Sequence, residues 1–125
     1  MYRVSLSGEE IGTTSLELAD PPMGVVFGKV FFQARISPFA FFRDYCQAHN
    51  IVLNEVDPEN EFIDTQVIPA LHVFRGDGVD IHGQGCCLSG FKDEGYYITI
   101  LGVPYPFYAE EFPHHCKAYE QKFKA

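Results

Sequence analysis

"GCCLSGFKDEGYYITILGV", residues 85–103, decides the fold. Two β-like runs flank "KDEG", a turn signal. The second run, "YYITILGV" (96–103), is the strongest strand pattern in the chain, because β-branched and aromatic residues suit a pleated surface. Pro104 and Pro106 stop it, since neither has a donor for a ladder. The first run begins earlier, as "IHGQGCCLSGF" (81–91), and reads as a strand kinked by Gly83 and Gly85. Adjacent residues of a strand point to opposite faces, so Cys86 and Cys87 are expected to part, with at most one accessible.

Other strands lie outward from this pair. "ALHVFRGDGVDIHG" (70–83) is a hairpin signal, with Asp77-Gly78 able to take the positive φ of a tight turn. "RVSLSG" (3–8) alternates, Val4 and Leu6 on one face against Arg3, Ser5 and Ser7. "TTSLEL" (13–18) alternates again through Thr14, Leu16 and Leu18. "VVFGKVFF" (25–32) is apolar on both faces, which predicts a strand covered on both sides. Gly28 within it marks a bulge or a close backbone approach. "IVLNEV" (51–56) reads as a strand and "DPENEFID" (57–64) as a charged loop.

Two segments have helical spacing. In "SPFAFFRDYCQAHN" (37–50), Ser37 is placed to cap and Pro38 fits the first helical position. Phe39, Phe42 and Cys46 form a stripe beside Phe41 and Tyr45, and Asn50 suits a left-handed end. In "EEFPHHCKAYEQKFKA" (110–125), Phe112, Cys116, Tyr119 and Phe123 form a second stripe. Glu110 and Glu111 precede it, and Lys117, Lys122 and Lys124 lie toward its end, as the helix dipole favours. The sum is a single α+β domain over 1–125. It has a mainly antiparallel sheet of about five to seven strands and two helices, about 38–49 and 113–124.

Composition limits the function classes. The chain has 125 residues, 46% apolar and 21% charged, which is globular and sufficient for one core. Twelve Phe and seven Tyr without Trp predict a core of aromatic rings. The net charge is -8, from 17 acidic and 9 basic residues, with no basic run. That argues against a nucleic-acid backbone as ligand. No apolar run approaches the ~20 residues of a membrane span. "MYRVSLSGEE" has no apolar leader core, so a cytoplasmic location with four reduced thiols is expected.

Three stretches carry residues capable of chemistry. His82, Cys86 and Cys87 lack the spacing with which one turn presents two ligands to zinc. "FPHHC" (112–116) places His114 and His115 about 100° apart on a helix, so at most one shares a face with Cys116; both are expected to face water. A metal would need His82 and Cys86 to meet His114 and Cys116. No cofactor motif occurs: Gly24 and Gly28 make no phosphate-binding pattern. "RGDG" (75–78) is accounted for by the hairpin turn. "GVPYPFYAEEF" (102–112) is held irregular by its prolines and carries Tyr105, Phe107 and Tyr108 beside Glu110 and Glu111. These five residues are the candidate partner surface.

The reading favoured is a non-enzymatic protein-interaction module for a partner with a basic surface. In size and charge the chain resembles, in general character, small bacterial immunity or antitoxin-like proteins that neutralise a basic toxin domain. That likeness is one of type and rests on no motif. The alternative is a small-molecule or metal-dependent enzyme using the Cys and His residues. A third reading is a homo-oligomer, if the two-faced strand 96–103 lies at a sheet edge.

Overall fold

The computed structural model describes residues 1–123. Among the described residues nine strands form one sheet: β1 (Tyr2–Leu6), β2 (Glu9–Thr14), β3 (Leu18–Asp20), β4 (Val25–Phe32), β5 (Leu53–Asp57), β6 (Phe62–Thr65), β7 (Leu71–Phe74), β8 (Gly85–Phe91) and β9 (Gly95–Leu101). The order is β5-β6-β8-β9-β4-β2-β1-β7, with β3 beside β4, and every named pairing is antiparallel. The described residues also form three α-helices, α1 (Pro38–Ala48), α2 (Phe107–Glu111) and α3 (Pro113–Lys122), and a 3-10 turn at Pro21–Met23. The α+β antiparallel class is the one the sequence pattern implies. The additional strands come from "FIDT" (62–65), which is β6 although most of it falls in the stretch that reads as a charged loop, and from the 13–18 run, which divides between β2 and β3.

The stretch 85–103 is the hairpin β8–β9, paired without a break from Gly85–Leu101 to Phe91–Gly95. β9 then pairs β4 on its other side, so this strand lies inside the sheet and offers no edge to another chain. Its apolar character on both faces has a simpler cause. Tyr96, Ile98 and Ile100 fill the core, while Tyr97, Thr99 and Leu101 are partly exposed on the opposite face. β4 alternates in the same way and is not covered on both sides: Val26 and Val30 are buried, and Phe31 is 56% exposed.

The β2–β3 interruption shows why Gly28 is a glycine. Leu16 turns to φ 46° and buries its side chain, bringing the chain over β4. A Cβ at Gly28 would lie 2.8 Å from the Leu16 Cα and 2.6 Å from the Thr14 hydroxyl, so no larger residue fits.

One face of the sheet holds the core. Val26, Val30, Ile63, Leu88, Ile98 and Ile100 meet Phe39, Phe42 and Cys46 of α1 in one buried cluster. Phe32 meets the Phe42 ring edge-on at 5.9 Å. Burying one such ring contributes roughly 1.5–3 kcal/mol. Pro38 starts α1 and Asn50, at φ 56°, follows its end. Ser37 sits at the cap position, but its hydroxyl makes no capping bond; the Phe41 N–H donates to the Ser37 carbonyl instead. On α3 the inward residue is His115, whereas Tyr119 and Phe123 are 37% and 69% exposed. The expected Phe112–Cys116–Tyr119–Phe123 stripe therefore does not pack as one face. The helix end read at residue 124, with Lys124, lies outside the described residues.

Candidate functional site

The segment 105–112 folds inward. Tyr108 is fully buried, and its hydroxyl donates to the Val25 carbonyl at 2.9 Å. Phe112, four residues on, is equally buried, as successive helical turns align them. Glu111 is only 9% exposed in its side chain. One oxygen accepts from the Tyr2 hydroxyl at 2.7 Å, the other from Arg75 at 2.8 Å. Burial first, and the Glu111 carboxylate second, push the Tyr2 phenol up. Arg75 also grips Asp77 through two bonds of 2.8 and 2.6 Å, and this holds Asp77 down at about 2. The "RGDG" tetrapeptide is thus a closed turn tied to the Glu111 carboxylate. Phe107 is partly buried, its ring 5.9 Å from that of His82. Of the five expected partner residues, Tyr108 and Glu111 serve the fold. Only Tyr105, 51% exposed, and Glu110 face solvent.

The Cys and His residues are not brought to one point. Among the described residues no group of three His, Cys, Asp or Glu side chains is placed to hold a metal ion. Cys86 and Cys87 do part, as strand neighbours must: Cys86 is in the core and Cys87 is partly exposed near Asp64. Burial, then the nearby Cys87 and Asp80, push the Cys86 thiol up to about 12, so it stays protonated at neutral pH. A nucleophile needs the opposite shift. Cys86 and His82 line a cavity of about 330 Å³ with His72 and Asp80. Cys116 instead shares a recess of about 290 Å³ with Tyr105 and Tyr119, and His114 is exposed. His115 does not face water as expected: its Nε2 lies 2.8 Å from the Leu16 carbonyl and it is buried.

A different surface does gather rings and carboxylates. The sheet face opposite the core is laid out by strand register. One row across it runs Glu55–Asp64–Ser89–Tyr97–Lys29, from β5 to β4. The next row places Asp57 opposite Phe62 and Phe91 opposite Gly95. On the other side, Cys87, Thr99, Phe27 and Leu18 form a third row. Three recesses follow one another along this face. The first, about 420 Å³, is lined by Glu55, Asp57, Asn60, Phe62 and Phe91. The second, about 430 Å³, shares Phe62 and Phe91 and adds Phe27, Tyr97 and Glu94. The third, about 510 Å³, shares Phe27 and Thr99 and reaches Tyr119 and Lys122 of α3. Acids dominate the β5–β6 end, with Lys29 and Lys122 at the other.

The signal for this face lay in the alternation of "EVDPENEFID" (55–64). Glu55 and Asp57 share one face of a strand, and Phe62 and Asp64 one face of the next. The density of charge masks the period of two and makes the stretch read as a loop.

No protein-family model, curated protein or solved structure matches the chain.

Proposed function

We propose that the chain is a non-enzymatic protein-interaction module whose open sheet face receives a partner with a basic surface. The observation that supports it is the ordered array of Glu55, Asp57, Asp64 and Glu94 around Phe62, Phe91 and Tyr97. Carboxylates of one sign steer a basic partner and speed its encounter. Aromatic faces then hold Lys or Arg side chains at a few ångströms by cation–π attraction, each worth roughly 0.5–2 kcal/mol. The net charge of -8 acts in the same direction. Neutralisation of a basic toxin domain, as by an immunity or antitoxin-like protein of the cytoplasm, is the form of this reading that size and charge favour. The enzyme reading gains nothing from the cavity at His72 and Cys86, whose thiol is held protonated.

The test is a low-salt pull-down from the native host with the wild type and with Glu55→Lys/Asp57→Lys/Asp64→Lys. A stoichiometric partner of high isoelectric point is expected with the wild type and lost with the triple variant. Equal recovery by both proteins, or no partner with either, contradicts the proposal.

A further inference from the structure

We infer that the basic partner engages the free edge of β5 by adding a strand to the sheet, an inference that rests on the interaction reading above. The two ends of the sheet differ. At the β7 end the chain covers its own edge: the Ile81 N–H donates to Val73 and the Arg75 N–H to Val79, at 2.9 and 2.8 Å, and Phe74 bridges Asp80. At the other end, β5 pairs only with β6 among the described residues. Asn54, Glu55 and Val56 are exposed, and Val52 just before the strand is 64% exposed.

An open edge invites strand pairing, and acidic side chains decide with what. A second copy of β5 would bring Glu55 and Asp57 against like charges, which destabilises cross-strand pairs. A basic strand reverses that sign. The alternation of β5 fixes its pattern. Lys or Arg at every second position would lie beside Glu55 and Asp57, over the recess floored by Phe62 and Phe91. The residues between would lie beside Val56, 43% exposed, and there β-branched side chains fit. The break in register between Leu53 and Glu55 limits the added pairing to the segment 55–57 and its flanks.

Two synthetic peptides test this: an alternating Lys-Val peptide, and its twin with alternate backbone amides methylated, which keeps the charge and removes strand donors. Binding is measured by calorimetry, and amide exchange at residues 53–57 by NMR. The plain peptide is expected to bind roughly tenfold more tightly than its twin and to slow exchange along β5. Equal binding by both, without protection of β5, overturns strand addition and leaves the charged-face reading standing. Binding by neither overturns both. Light scattering is run alongside: a dimer of the free protein abolished by Val56→Pro would show that a second copy occupies the edge, and would likewise overturn the inference.

Discussion

Two stretches of this chain mix aromatic rings with carboxylates, and the fold uses them in opposite ways. In 105–112 the spacing is helical. Tyr108 and Phe112 lie on one side of the turn and enter the core, and Glu111 finds two donors, Tyr2 and Arg75, beside it. In 55–64 the spacing is that of strands. Glu55, Asp57, Phe62 and Asp64 all fall on the face turned away from the core. A buried carboxylate held by donors from distant parts of the chain, as Glu111 is, is a structural group. Glu55 and Asp64 make no ion pair among the described residues, and Asp57 is held only within its own turn, accepting from the Glu59 N–H and the Asn60 amide; beside partly exposed rings, these are the carboxylates we propose for recognition. Composition alone does not separate the two; periodicity and neighbours do.

The largest difference should appear in stability. Phe112→Ala removes a fully buried ring and should cost about 3–5 kcal/mol, lowering Tm by roughly 10–20 °C. Phe62→Ala, on the partly exposed face, should cost about 1 kcal/mol. Urea denaturation of both variants decides this, and equal losses would erase the distinction. Binding should invert the order. Phe62→Ala and Phe91→Ala should weaken partner binding by about 2 kcal/mol, whereas Tyr105→Ala should change it less than about twofold. Calorimetry with the recovered partner measures all three.

A smaller effect, about 1–2 kcal/mol, is expected from Tyr2→Phe, which removes one donor from the buried Glu111 carboxylate. Its signature is lost stability with partner affinity unchanged, and a fall in affinity would place Glu111 on the recognition surface after all. The last effect is a pH dependence. The Cys86 thiol is raised to about 12 by burial. Its contribution to stability is therefore complete below the unfolded thiol value of about 8.5. It is lost as pH rises from there toward the folded value. Iodoacetamide at pH 8 should modify Cys116 and spare Cys86 in the native protein, as mass spectrometry of tryptic fragments will show. Rapid labelling of Cys86 would return it to the list of reactive groups.

Much of the fold was legible because local signals agreed. The hairpin at 92–95, the start of α1 at Pro38 and the parting of Cys86 from Cys87 all follow from turn chemistry or strand alternation. What was not legible depends on distant partners. Glu111 is structural only because Tyr2 and Arg75 arrive from 109 and 36 residues away. His115 is buried only because the Leu16 carbonyl lies over it, 99 residues off. The strand 96–103 could not reveal from its own apolar faces that β4 and β8 would flank it. The acidic face was hidden for another reason: its charges resemble those of a loop, and only the pairing of β5 with β6 aligns them.

On our proposal the sheet face of β5 and β6, and not the 105–112 segment, meets the partner. An NMR titration of the labelled protein with its basic partner tests this most directly. Amide shifts concentrated at Glu55, Asp64, Ser89 and Tyr97, and fading as salt is raised, are the predicted result. Shifts concentrated instead at Tyr105, Phe107 and Glu110, with β5 and β6 unmoved, would contradict it.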